Sequence, residues 1–356
     1  MKIDDKTSHN SPSLRFPEFT GEWKKCKIED ITDAVSSGKS KNHFSNGEYN
    51  LYGSTGIIGR TDKALYDGKL VLVARVGANA GFLQIINEPC GITDNTLILK
   101  PKGIDAFYLY YFLQHFNLNR LIFGSGQPLI TGGMLKKVKV SLGTISEQSK
   151  IVKFLSLLDE RTAVQSRLID RLQSLMKGIR HRIINEAKGK IVCLCEVSDI
   201  YQPQTISSAD LTETGYPVYG ANGIIGHYTS YNHEAEQVCI TCRGNTCGGV
   251  NYTKSKSWIT GNAMVVNVDR YQNIVSKRYL YHYLSNCDFN SIISGSGQPQ
   301  IVRAPLAKFK IILPTVMQQY KIAHCLDVIQ NKINVNSNIL NLLIRQKQYL
   351  LRKMFM

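Results

Sequence analysis

Three cysteines in the second half of the chain, Cys239, Cys242 and Cys247, stand in a C-x2-C-x4-C spacing, with Cys193 and Cys195 upstream and His227 and His233 near enough in sequence to complete a set. Thiolates at such intervals are the donors of a structural zinc site. Ser37 to Ser40 reads SGKS, the tail of a phosphate-cradling loop, but the glycine required five residues before Gly38 is Asp33. Two GSGQP segments, at 124–128 and 295–299, lack the GxGxxG spacing of a dinucleotide turn and follow a helix rather than a strand. No HExxH, no GxSxG and no regularly spaced carboxylate pair is present, and the eight histidines are scattered. What remains is binding chemistry. Lys39, Lys41, Arg60, Lys63 and Arg75 in the first half, and Arg243, Lys254 and Lys256 in the second, sit in or beside glycine-rich turns, where backbone approaches a ligand closely. Such side chains suit phosphates and guanine edges, and Gln127 and Gln298 inside the GSGQP segments join them as candidate DNA contacts.

Those residues must be positioned by a chain of 356 residues, long enough for two or three domains. Its 43% apolar and 20% charged residues exclude collagen-like and low-complexity protein. The net charge of +16 favours a polyanionic partner, nucleic acid or an anionic membrane surface. No run approaches the ~18 apolar residues of a membrane span, and the first twenty residues carry no apolar core of a signal peptide. A cytoplasmic location is expected, with the nine cysteines as reduced thiols.

The chain also repeats itself. YGSTGIIG at Tyr52–Gly59 returns as YGANGIIG at Tyr219–Gly226, 167 residues later. Val71–Gly81 matches Val238–Gly248 at the same offset, and the GSGQP pair is 171 residues apart, so the second copy carries four extra residues between. The repeat argues against zinc, because Cys239, Cys242 and Cys247 align with Leu72, Arg75 and Ala80. In each copy, short β-branched segments separated by Gly and Asn read as strands, interrupted by one aromatic-rich core helix, Phe107–Phe116 and Tyr279–Leu284. Each copy then ends in about 40 residues of helical periodicity, a rod of ~60 Å. A heptad frame beginning at Ile151 places Ile151, Phe154, Leu158, Gln165, Leu168, Leu172, Leu175 and Ile179 on one seam. Its counterpart holds Ile322, Ile329, Asn336, Ile339, Leu343 and Leu350. Leu155, Ile169, Met176, Leu342 and Ile344 fall outside that seam and would need a covering partner. The expected fold is α+β: two pseudo-symmetric globular domains, 1–146 and 188–316, separated by two long helices, 147–187 and 317–356, packed as an antiparallel coiled coil.

The opening SLRFPEFTGEWKKCKIEDI, the paired YGSTGIIG and YGANGIIG, the paired GSGQP and the helices starting SEQSKIVKFLSLLDERT and MQQYKIAHCLDVIQNKI together resemble the specificity subunits of type I restriction-modification systems. The resemblance covers nearly the whole chain. It implies two target-recognition domains, each reading one half of a bipartite, asymmetric DNA site, with the helices as spacer. It also implies two methyltransferase subunits and restriction/translocase subunits as partners. S-adenosylmethionine, Mg and ATP would then belong to those partners, with no cofactor, metal or catalytic residue in this chain. The reading from another class is a stand-alone two-domain DNA-binding regulator or architectural protein.

Overall fold

The computed structural model describes residues 10–41, 46–122, 127–295 and 297–356. The chain divides into two compact units, one taking in the chain up to Ser166 together with Asn338–Met356, the other Arg167–Ser337. The division passes through the middle of both long helices, so each unit owns half of each.

The first unit contains strands β1 (Lys24–Lys27), β2 (Thr32–Ser37), β3 (Tyr49–Gly53), β4 (Gly56–Thr61), β5 (Lys69–Ala74), β6 (Leu83–Asn87), β7 (Cys90–Ile92), β8 (Thr96–Pro101) and β9 (Lys139–Leu142). Its helices are α1 (Ala106–Phe116), the short α2 (Gly132–Lys136) and the first half of α3 (Ile145–Glu186). An antiparallel sheet runs β2-β8-β5-β6, and a second runs β4-β3-β7. The apolar run of β5 is buried on both faces. Val71 and Val73 face α1, joining Leu97, Leu99, Tyr108, Leu109 and Phe112, while Leu70 and Leu72 face the other way with Ile86, Cys90, Ile92 and Ile98. The aromatic helix is therefore core, as its sequence suggests. Asp105 caps it by accepting from the Phe107 and Tyr108 N–H groups at 2.7 and 3.4 Å.

The second unit repeats this plan with β10 (Lys190–Cys193), α4 (Leu194–Val197), β11 (Asp199–Tyr201), β12 (Tyr216–Gly220), β13 (Gly223–Tyr228), β14 (Val238–Thr241), β15 (Val250–Tyr252), β16 (Trp258–Ile259) and β17 (Ala263–Asn267). It continues through α5 (Lys277–Leu284), β18 (Ile293–Ser294), β19 (Gln300–Ile301), α6 (Arg303–Ala307), β20 (Lys310–Leu313) and the start of α7 (Val316–Met354). Its sheets, β11-β17-β14-β15 and β13-β12-β16, have the order of the first unit's. Cys242 packs with the helix-side core and Cys239 with the opposite face, among Tyr219, Ile259 and Val265, so this pair cannot converge on one metal. Burial pushes the Cys239 thiol up, away from thiolate. Among the described residues no group of three or more His, Cys, Asp or Glu stands together as a metal site.

Within each unit the two long helices run antiparallel. In the first, Ile151, Leu155 and Leu158 near the start of α3 share a core with Leu350, Leu351, Met354 and Phe355 at the end of α7. Lys347 reaches Asp159 at 2.6 Å across the pair. In the second unit, Ile184 from the end of α3 shares a core with Ala323 from the start of α7. The seam differs from the heptad expectation. Ile151, Leu158 and Leu172 are buried and Phe154, Gln165 and Ile179 half-buried, but Leu168 and Leu175 are exposed, and Leu155, Ile169 and Met176 lie inward instead. Adjacent apolar residues occur at each of these levels, and the one four residues after the preceding seam position turns inward, where the heptad frame places the one at a spacing of three. On α7, Leu343 and Leu350 are buried and Ile322, Ile329 and Asn336 half-buried. Ile339 is exposed, while Ala323, Leu326 and Ile333, outside the expected seam, lie inward. Leu342 and Ile344 are exposed as anticipated.

The opening segment is fastened to both helices of the first unit. Arg15 donates to the wholly buried Glu147 carboxylate at 2.6 and 2.8 Å, the Trp23 indole donates to the same group at 3.1 Å, and the Leu14 N–H donates to the Lys353 carbonyl at 2.9 Å.

Candidate nucleic-acid interface

Each unit presents two neighbouring features built from the repeated motifs. The first is the β3–β4 hairpin, with Ser54 and Thr55 at its tip and Gly56 at φ +136°, a value that L side chains avoid. Behind it, Tyr52 and Asn50 both donate to Glu88, at 2.5 and 2.9 Å, holding the strand to the body. Burial and this carboxylate push the Tyr52 phenol up to about 12, so it remains a donor. The counterpart hairpin β12–β13 has Ala221 and Asn222 at its tip and a register shift at the equivalent place. Its Tyr219 hydroxyl accepts from the Lys254 N–H at 3.1 Å. On the outer strands, Ile57 and Ile58 in the first unit and Ile224 and Ile225 in the second are about half exposed.

The second feature is a glycine turn. Gly77 and Gly81 lie at φ +79° and +88°, and Gly244 and Gly248 at +84° and +90°. In the first unit the Gly77 N–H donates to the Pro128 carbonyl at 3.0 Å and the Ile130 N–H to the Arg75 carbonyl at 2.9 Å. In the second, Gly244 donates to Pro299 and Ile301 to Cys242, each at 3.0 Å. Pro128 and Ile130 thus dock onto the turn in the same way as Pro299 and Ile301, and Gln127 and Gln298 are exposed beside them. Residues 123–126 and Ser296 of these segments lie outside the described residues.

The basic candidates divide into two kinds. Lys39, Lys41 and Lys63 come together around one concavity of about 270 Å³, lined also by Ser40, Thr61, Asp62 and Leu65. Arg60 is instead engaged internally. Its Nε and Nη2 donate to the carbonyls of Gly47 and Glu48 at 2.5 and 2.6 Å, so it shapes the loop entering the hairpin. Arg75 is half-buried, with Nη1 donating to the Ser37 hydroxyl at 3.3 Å. In the second unit Arg243, Lys254 and Lys256 are exposed; Lys256 lies at φ +49° with its ammonium 3.8 Å from Glu234.

One feature was only partly legible in the sequence, through Leu342. Leu157 and Val164 on α3, and Val328, Val335, Leu342 and Tyr349 on α7, are all more than half exposed and recur at seven-residue spacing, an outer stripe behind the internal seam. The spacing itself was the available signal.

Residues 20–174 and 187–345 each match the family model of the type I restriction modification DNA specificity domain, one match over each copy of the repeat and together most of the chain. The chain belongs to the type I restriction-modification DNA specificity family. Recognition of the DNA target is the role of this family. The chain is similar to the type I restriction enzyme EcoprrI specificity subunit of Escherichia coli, 28% identical over 197 residues that make up 52% of this chain and 48% of that protein. It is also similar to the type I restriction enzyme MjaVIII specificity subunit of Methanocaldococcus jannaschii, 23% identical over 74% of this chain and 73% of that one. In fold it resembles the crystal structure of the type I restriction-modification system S subunit from M. genitalium, with a TM-score of 0.71 at 19% identity, covering 97% of this chain and 99% of that one. Among its described residues no helix is long and apolar enough to cross a membrane.

Proposed function

We propose that this specificity subunit reads a bipartite, asymmetric DNA target, one half with each unit, on behalf of catalytic partners that carry the chemistry. The observation that carries the reading is the pair of hairpin and glycine-turn assemblies, held by equivalent backbone hydrogen bonds in the two units but bearing different exposed side chains: Thr55 against Asn222 at the hairpin tips, Ala78 and Asn79 against Asn245 and Thr246 in the turns. A common scaffold presenting different polar groups suits two unlike half-sites.

The outer apolar stripes are where two methyltransferase subunits would dock, with restriction and translocase subunits joining the assembly. A stripe of this length left in water favours association and counts against a self-sufficient regulator. On this reading, S-adenosylmethionine, Mg and ATP serve the partner subunits, the chain itself catalyses nothing, and the complex works in the cytoplasm. The test is to sequence modified bases in the host genome with the gene intact and deleted. Loss of methyladenine at one gapped, two-part motif is expected. An unchanged pattern while the partner genes are expressed would leave a stand-alone DNA-binding protein as the better account.

A further inference from the structure

The SGKS segment, without the glycine that a phosphate-cradling loop requires, nevertheless ends beside an open hollow with room for a phosphate. Gly38 threads between strands so closely that a Cβ there would lie 2.3 Å from the carbonyl oxygens of Ile92 and Thr93, which fixes the path of the following residues. Lys39 and Lys41 approach the concavity from this segment and Lys63 from the end of β4, with Thr61 and Ser40 in its wall. Among the described residues none of the three ammonium groups has a carboxylate within ion-pair distance, Asp62 of the same wall included. Arg60 fixes the adjoining loop through the Gly47 and Glu48 carbonyls, so the rim is braced without using these lysines.

The matching positions of the second unit carry no cation. β2 and β3 correspond to β11 and β12 at one constant offset, so Lys39, Lys41 and Lys63 correspond to Ile206, Ser208 and Ser230. Three lysines lining one hollow are suited to a phosphodiester, whose two unesterified oxygens accept several charge-assisted hydrogen bonds, rather than to a base edge, which takes one cation.

We propose that the Lys39–Lys41–Lys63 hollow seats a backbone phosphate of the DNA duplex, an electrostatic anchor on one half-site that is not repeated at the matching place on the other. This rests on the target-recognition reading and adds to it a division of labour: the first unit supplies a sequence-independent anchor, and the second has none at the matching place.

The test uses the full chain assembled with its methyltransferase subunits and measures affinity over a salt series for a duplex carrying the mapped target and for a scrambled duplex. Neutralising one phosphate contact flattens the dependence of log affinity on log salt by about 0.9. The K39Q/K41Q/K63Q variant should lose about one unit of slope and bind both duplexes more weakly by the same factor, roughly tenfold at moderate salt. S208A/S230A should change neither. A duplex with single methylphosphonate substitutions should reveal one position, in the half-site of the first unit, that weakens the wild type but not the triple variant. An unchanged slope would overturn the proposal, as would a loss confined to the target duplex, which would make the lysines base readers. A wild-type complex that did not prefer its target would refute the target-recognition reading instead, while the slope would still test the hollow. All three lysines are exposed, so the substitutions leave the core intact.

Discussion

His282 is sealed in the second unit, its Nε2–H donated to Asp327 at 2.7 Å, and burial holds its pKa down to about 4 against the pull of that carboxylate. An unfolded histidine titrates near 6.5, so as pH falls from there towards 4 the unfolded chain takes up a proton that the folded one refuses. The stability of this unit should be fully present above about pH 6.5 and decline below it, by up to about 3 kcal/mol. Urea unfolding at about pH 7 and pH 5 should show that loss in the wild type and much less of it in His282→Gln; equal losses would assign the slope to other groups. The matching position of the first unit is Tyr111, whose hydroxyl donates to Asp159 at 2.8 Å, so the same junction with a long helix is joined by different chemistry. Glu147→Ala should be costlier, about 3 to 5 kcal/mol in chemical denaturation, because it strands Arg15 and the Trp23 indole together. Sequence showed that SLRFPEFTGEW mattered as a signature, but not that its Arg15 and Trp23 meet a carboxylate some 130 residues away. Nor could it tell a guanidinium facing solvent from Arg60, which is spent on loop carbonyls; both lie in glycine-rich turns.

At the scale of elements, the 42-residue α3 and 39-residue α7 were legible because neither contains a proline and their apolar residues keep helical spacing. The phase of the seam was not. Leu168 with Ile169, and Leu175 with Met176, offer two apolar neighbours at one level, and only packing selects which turns inward. This separates two sets of substitutions. Leu172→Ala removes a buried seam residue and should destabilise by about 2 to 5 kcal/mol, whereas Leu175→Ala should change unfolding by well under 1 kcal/mol. Val335→Asp with Leu342→Asp, on the outer stripe, should leave the isolated subunit folded yet prevent it from co-purifying with methyltransferase subunits; normal co-purification would place docking elsewhere. Adding one heptad to both helices at matched levels, ~10.5 Å at 1.5 Å per residue, should widen the gap between mapped half-sites by about three base pairs, and an unchanged gap would remove the helices from that role.

For the molecule as a whole, the repeat announced two like domains. What it could not announce is where they part, because compactness divides the chain in the middle of both helices while the sequence changes character at their ends. Exposed features that are the same in both units, the isoleucine pairs and the two glutamines, cannot distinguish one half-site from another. On the proposed reading, discrimination comes from the tips and turns that differ, and the mapped motif should have two unlike halves, which a palindrome would contradict. The division has a further effect on how the protein is made. Leu350, Leu351, Met354 and Phe355 belong to the core of the first unit, whereas the second is complete by Ser337. Emerging from the ribosome, the first domain to be translated is therefore the last to close, and it waits with an open core until Leu350 to Phe355 have been read. A frameshift just beyond Ser337 would leave the later domain whole and the earlier one unfinished, marking the defective chain for proteolysis before it could recruit a partner to half a target.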